Sequence, residues 1–205
     1  MNLVVGWTLV AGFVTFLTGA ARWRMAYEQP LEESLRVVAG DRGRRAWIHL
    51  WMISAMFATS AGVAGVPLMV GADDVALVVA AMAAVAYVLG AVCWIASLVF
   101  RLTVVPWAAE RTVADGRVPE PFPALDAWAG SLYVVHMASA YLAFALLGLA
   151  VLVDGVLAPW VGWTGVILGL GSLAGFVATR AAGPFNPPIL AHLYTLILGI
   201  TVLVA

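Results

Sequence analysis

The chain has 205 residues, of which 64% are hydrophobic and 10% are charged, and its mean hydropathy is +1.02. Soluble domains are about 45–50% apolar and about 25% charged, so this composition excludes a soluble fold and predicts a membrane protein. The formal net charge of −1 argues against a nucleic-acid partner, and the single cysteine excludes both an intramolecular disulfide and a thiolate zinc cluster.

Six apolar segments approach the ~20 residues that a membrane-spanning helix needs. No basic region and no convincing cleavage site accompany the first segment, which is therefore interpreted as a span and not as a signal peptide. The predicted spans are residues 3–21, 47–70, 75–100, 127–153, 160–178 and 189–205. The sequence thus predicts an all-α fold, in which residues 1–205 form a single domain of six transmembrane helices in one bundle.

The basic residues indicate the orientation of these spans. All ten are arginines, and all lie in the first, third and fifth connections between spans. Because positive charge is retained in the cytoplasm, both termini are predicted to face outward, on the extracytoplasmic side. An arginine-only basic set with abundant Ala, Val and Gly is typical of a GC-rich bacterial genome, which indicates the bacterial cytoplasmic (inner) membrane.

The cytoplasmic connections are too short to fold as domains. In "PLEESLRVVAGDRG", Leu31, Leu35 and Val38 share one face after Pro30, which predicts a brief helix lying on the membrane surface. The third connection, "AAERTVADGRVPEPFP", ends in prolines that are predicted to break the helix before span four. Any function is therefore expected in or at the lipid bilayer.

Each of the three histidines interrupts an apolar span, and ionisable residues inside spans favour a functional role. Each shares its helical stripe with small or polar residues, so His49, His136 and His192 are predicted to face the bundle interior. His49 and His192 each come about one turn after the cytoplasmic start of their span, which predicts the same shallow depth for both. His136 is expected one or two turns deeper.

Two imidazoles at one depth on different helices predict axial ligation of haem b, or of another redox cofactor, by His49 and His192. Arg22, Arg24 and Arg45 lie on the adjacent face and are predicted to bind the propionates. Such a protein would exchange electrons with membrane quinone. Aromatic side chains are expected to wall the ring; they are Trp47, Trp51 and Tyr194.

Other interpretations of the same histidines stay open. A metal site formed by His49, His136 and His192 requires all three at one depth. Neutral histidines can also simply hydrogen-bond between helices in a non-enzymatic membrane subunit or lipid-binding module. A third alternative is an intramembrane enzyme or small transporter for a hydrophobic substrate, with a histidine acting on lipid or quinone. The chain has no lysine for a retinal Schiff base, and a role as an oligomer or as a subunit of a membrane complex is compatible with every alternative.

The C-terminal third carries a resemblance. "LLGLAVLVDGVLAPWVGWTGVILGLGSLAGF" and then "GPFNPPILAHLYTLILGITVLV" place a Pro–Trp turn before a Gly-rich span and a proline-led last span. This order resembles small six-helix bacterial, actinobacterial-type membrane proteins of a domain-of-unknown-function family, over about residues 143–204. The resemblance implies a six-helix fold, and it carries over neither an activity nor a functional residue.

Overall fold

Backbone polar groups in lipid must be hydrogen-bonded within the chain, and the apolar segments achieve this by forming α-helices. A computed structural model describes residues 1–71 and 73–205, and these residues form seven α-helices, two 3-10 turns and no β-strand. The α-helices are α1 Asn2–Ala20, α2 Leu31–Gly40, α3 Arg42–Gly65, α4 Asp74–Asp115, α5 Phe122–Asp154, α6 Pro159–Ala178 and α7 Leu190–Val204. The 3-10 turns are Met25–Glu28 and Val66–Leu68.

Five of the described helices are long and apolar enough to cross a membrane, namely α1, α3, α4, α5 and α6. The prediction of an all-helical, multi-pass membrane protein is confirmed to that extent. α7 has 15 residues, which at 1.5 Å per residue is about 22 Å and shorter than the ~30 Å hydrocarbon core. The sixth crossing and the outward-facing termini stay predictions.

Neighbouring helices pack in an order that closes the bundle. α1 lies between α3 and α7, α3 contacts α4, α4 contacts α5, and α5 contacts α6. α7 also contacts α3, α5 and α6, so it is enclosed by the other helices. Small residues allow the closest approaches: Gly12 on α1 faces the backbone of Thr59 on α3, and Gly199 on α7 faces Gly6 and Leu9 on α1.

α2 forms where the sequence predicts it, but its apolar face contacts protein. Glu32 and Glu33 occupy its first turn, where carboxylates complement the helix dipole. Leu35 and Val38 are buried, and the helix packs against α4. The predicted short helix is therefore confirmed, its apolar face contacts the bundle, and its position at the membrane surface stays a prediction.

α4 is much longer than the predicted third span. It has 42 residues and is capped at its start by the Asp73 side chain, which accepts a hydrogen bond from the Ala76 N–H at 2.9 Å. It ends at Asp115, and Gly116 follows in a left-handed conformation. Pro106 lies inside this helix. A helix of this length tolerates it, because the missing N–H interrupts only one hydrogen bond. The helix therefore continues for about four turns beyond residue 100, where the predicted third span ends, and the bounds of the membrane crossing within it stay a prediction.

The connection between α6 and α7 enters the bundle instead of staying outside it. Tyr141 on α5 donates its hydroxyl hydrogen bond to the carbonyl of Phe185 at 2.6 Å, and Tyr133 on the same helix donates to the carbonyl of Asn186. α7 then begins at Leu190 without a side-chain cap. This inward path fixes how deep α7 starts.

Candidate functional site

A cavity of about 910 Å³ opens in the bundle at the end where α1 ends and α3 begins. We call this end the arginine face and the opening the arginine-face cavity. Side chains from α1 to α5 and from the α6–α7 connection line it. A volume in the range of about 300–1,000 Å³ is typical of sites for small molecules and cofactors.

α3 contributes a graded row of side chains to the cavity wall. Arg45, His49 and Met52 all line it, and their i, i+4, i+7 spacing places them on one helix face. The arginine is nearest the arginine face, and the thioether is about two turns deeper. The wall therefore changes from charged to apolar along α3.

α4 contributes a second row with the same gradient. Arg101, Ser97 and Trp94 line the cavity, and because α4 runs in the opposite direction the arginine is again nearest the arginine face. Ser97 is buried, and its Oγ has no hydrogen-bond partner within the described part of the chain. Two adjacent helices thus each place a cation outermost and an apolar side chain inward.

The His49 ring has one nitrogen available to an occupant of the cavity. Its Nδ1 lies 2.6 Å from the carbonyl oxygen of Arg45, which can only accept a hydrogen bond. Nδ1 therefore carries the proton, and the neutral ring leaves a lone pair on Nε2. An imidazole fixed in this way by its own backbone is the form that ligates metals.

His192 does not share the depth of His49. Its Nδ1 lies 3.4 Å from the Thr59 hydroxyl, which is ten residues and about 15 Å beyond His49 along α3. The ring of Phe16 stacks on it at 4.5 Å. The predicted matched depth of His49 and His192 is therefore wrong, because α7 begins inside the bundle and not at its end.

His136 and His192 lie together beneath the cavity. Trp94 stacks on His136 at 4.7 Å and lies 6.0 Å from His192, so this indole separates both rings from the cavity. All three histidines are buried, which confirms that they face inward. Both ring nitrogens of His136 and Nε2 of His192 have no hydrogen-bond partner of acceptable geometry among residues 1–71 and 73–205, although the backbone of Gly90 lies beside His136.

Within the described ranges, no three His, Cys, Asp or Glu side chains come together as a group that could hold a metal ion. The site predicted from His49, His136 and His192 therefore has no support from their positions, since one imidazole lines the cavity and two lie beneath it. That site stays a prediction.

The three arginines predicted to bind the propionates do not lie together in one site. Arg45 lines the cavity, whereas the guanidinium of Arg22 lies over Trp47 at 4.4 Å and Arg24 pairs with Asp41 at 3.1 Å. Arg101, which the predicted spans place in the third connection, also lines the cavity. The predicted wall of Trp47, Trp51 and Tyr194 is replaced by other rings; those lining the cavity are Phe16, Trp23, Tyr27, Trp94, Phe122 and Tyr133.

A small polar cluster fixes the connection between α1 and α2 at the cavity rim. Tyr27 donates a hydrogen bond to Asp41 at 2.7 Å, and Arg24 and Arg44 approach the same carboxylate at 3.1 and 3.3 Å. The Tyr27 hydrogen bond, with Arg44 and Arg24, lowers the pKa of Asp41. Burial and the neighbouring Asp41 raise the pKa of Tyr27 to about 12.

We expect Asp41→Asn to destabilise the protein by roughly 1 kcal/mol at pH 7 and by less at about pH 3. The folded pKa of Asp41 lies below its unfolded value of about 3.9, so its contribution is present above that value and disappears as the pH falls through the folded pKa. Thermal unfolding in detergent at the two pH values measures this difference. An equal loss of stability at both would contradict it.

Comparison with known proteins identifies no relative of this chain. No family model, curated protein or solved structure matches the chain. The class that the fold defines is a multi-pass helical membrane protein with a polar-rimmed internal cavity. The resemblance to six-helix proteins stays a prediction.

Proposed function

We propose that this chain is a protein of the bacterial cytoplasmic membrane that binds a planar redox cofactor, haem b in the first instance, in the arginine-face cavity. Its partner in electron transfer would be membrane quinone. The observation that carries the proposal is the His49 imidazole, which lines the cavity with its Nδ1 engaged by the Arg45 carbonyl at 2.6 Å. The free Nε2 is the atom proposed to coordinate iron.

The residues present fit such a group in size and in chemistry. The cavity of about 910 Å³ is walled by aromatic rings, and a single histidine is sufficient as the axial protein ligand of haem. The coordination differs from the predicted His49–His192 pair, because Phe16 and Trp94 cover His192. When bound, the haem would supply one-electron chemistry, while the chain binds it, orients it and excludes water.

A second candidate, a module that binds quinone or lipid without a cofactor, is favoured by two other atoms of the cavity wall. Ser97 Oγ and Asn186 Oδ1 line it and have no hydrogen-bond partner within the described ranges. Buried polar atoms of this kind are normally satisfied by water or by a ligand. A head-group hydroxyl would satisfy both, because it can accept a hydrogen bond from Ser97 Oγ and donate one to Asn186 Oδ1, whereas a carbonyl could only accept one from Ser97.

The visible spectrum tests the first candidate. We expect the protein purified in detergent, or the protein titrated with haemin, to show a Soret band that shifts on reduction. His49→Ala should weaken haem binding by more than about tenfold, since even groups that only orient a metal ligand contribute about 10–100-fold. The His49 ring is only 1% exposed, so neighbouring side chains must move and we expect slow association.

His192→Ala is the matched control, because it removes an equally buried imidazole that does not line the cavity. The band should survive in that variant. In His49→Gly, added imidazole should restore the band by replacing the lost ligand. A protein that stays colourless with haemin, or a band unaffected by His49→Ala, would favour the cofactor-free module.

A further inference from the structure

Arg45 is an enclosed cation that forms no ion pair within 4.0 Å among the described residues. Its side chain is 5% exposed, and its guanidinium lies 4.6 Å from the Tyr27 ring centre and 5.9 Å from that of Trp23. None of the ion pairs among the described residues includes it, and its Nε has no hydrogen-bond partner there. The aromatic faces stabilise the charge, but they leave the N–H donors unused.

Arg101 brings a second cation to the same cavity. It lines the wall from α4, the helix next to α3, and it too takes part in no ion pair in the parts of the chain that the structure describes. It is one of the charged groups that act on Arg45. Two guanidinium groups around one cavity repel each other unless an anion lies between them.

The carboxylates of the wall do not fill this role. Glu28 accepts a hydrogen bond from the Trp23 indole at 2.9 Å on the exposed side of the cavity. Asp126 lines the cavity from α5, but it forms no ion pair within 4.0 Å among the described residues. The charges of Asp126 and Asp41 act on Arg45 from a distance, and neither carboxylate forms an ion pair with it in the described ranges, so Asp126 is a competitor for the arginines that does not occupy their N–H donors.

The deeper wall defines the rest of the ligand. Below the two arginines the cavity is lined by Met52, Trp94 and Phe16, which offer apolar and aromatic surface. A molecule that satisfies the whole cavity has an acidic group at one end and a ring or chain at the other.

We infer that the ligand of the arginine-face cavity is an amphipathic carboxylic acid, whose carboxylate is bound by Arg45 and Arg101 and whose apolar part contacts the inner wall. The inference concerns the cavity of the proposed function, but it requires neither iron nor His49. Arg45 and Arg101 are specificity-determining residues in this arrangement, because they distinguish an acid from its neutral ester.

Metal-free protoporphyrin IX and its dimethyl ester are the probes that test this inference, with binding followed by quenching of tryptophan fluorescence. We expect the diacid to bind at least about tenfold more tightly than the diester, which corresponds to one charge-assisted hydrogen-bonded pair. Arg45→Met and Arg101→Met should each remove most of that preference and leave diester binding unchanged. Methionine keeps the apolar stem, so the fold is retained.

Two further variants sharpen the result. Asp126→Asn removes the competing carboxylate and should strengthen diacid binding. Arg22→Met removes the same charge from a residue outside the cavity, where its guanidinium lies over Trp47, and should change nothing. Equal affinities for diacid and diester, or equal losses in Arg22→Met and Arg45→Met, would overturn the inference.

The outcomes also separate this inference from the haem proposal. Arginine-dependent binding of the diacid without a haemin Soret band would support the acid site and reject iron coordination. A haemin Soret band without any preference for the diacid over the diester would support iron coordination and reject the acid site. If neither porphyrin binds, dodecanoate compared with dodecanol in a thermal-shift assay gives the decision, and equal shifts would overturn the acid site.

Discussion

Gly148→Ala is expected to destabilise the bundle by about 2–3 kcal/mol, although it adds only one methyl group. A Cβ at this position of α5 would come within 3.0 Å of backbone atoms of Gly162, Gly165 and Val166 on α6. Backbone atoms cannot rotate away as side chains do, so the two helices would have to separate. Because helices in lipid associate mainly by close packing, this separation removes the interaction that holds α5 to α6.

Gly130→Ala supplies the control on the same helix. No atom among the described residues lies within 4 Å of the Cβ that this change would add. Alanine favours helix over glycine by up to about 1 kcal/mol, so this variant should be as stable as the parent or more stable. Reversible unfolding in mixed detergent micelles measures both, and equal effects of the two substitutions would contradict the α5–α6 contact.

The helical architecture could be predicted because it depends on local properties of the sequence. Apolar length identifies the spans, and α2 follows from three apolar residues at helical spacing after Pro30. The inward orientation of His49 was also predictable, since small and polar residues share its stripe. None of these inferences requires knowledge of a distant contact.

The depth of His192 could not be predicted in the same way. The proline-led start of the last span predicts that α7 begins at the bundle end. Its true start depends on Tyr133 and Tyr141, which hold the carbonyls of Asn186 and Phe185 from 53 and 44 residues away. Such a tertiary hydrogen bond leaves no periodic signal.

The role of Arg101 was missed for a different reason. Ending the third span at residue 100 placed this arginine in a loop, whereas α4 continues to Asp115. A signal was present: Trp94, Ser97 and Arg101 are spaced for one helix face. Extending the helix through Pro106 would have placed Arg101 above Trp94.

Trp94→Ala is expected to open a path from the cavity to His136. The indole is 3% exposed and stacks on the His136 ring at 4.7 Å with an interplanar angle of 18°. Its removal should cost about 3–5 kcal/mol of stability, as for other buried aromatic residues. Water can then reach two ring nitrogens that have no hydrogen-bond partner in the described structure, which offsets part of this loss.

Carbethoxylation by diethyl pyrocarbonate, measured by mass spectrometry of each histidine-containing peptide, detects this opening. In the parent, His136 is fully buried and should react only through rare local opening. In Trp94→Ala its modification should be faster by at least about tenfold. His192 should stay protected in the same sample, because the Phe16 ring also covers it at 4.5 Å.

In Phe16→Ala, we expect the opposite order of modification rates for His136 and His192. This substitution removes the ring that stacks on His192 but leaves Trp94 stacked on His136, so His192 should become the faster-reacting imidazole. Trp163→Ala removes an indole of the same size from the exposed side of α6 and should change neither rate. Trp94→Leu retains more of the packing and keeps the comparison valid if the alanine variant unfolds. Rapid modification of His136 in the parent, or equal acceleration of both imidazoles in each variant, would mean that Trp94 and Phe16 do not separate these rings from the cavity.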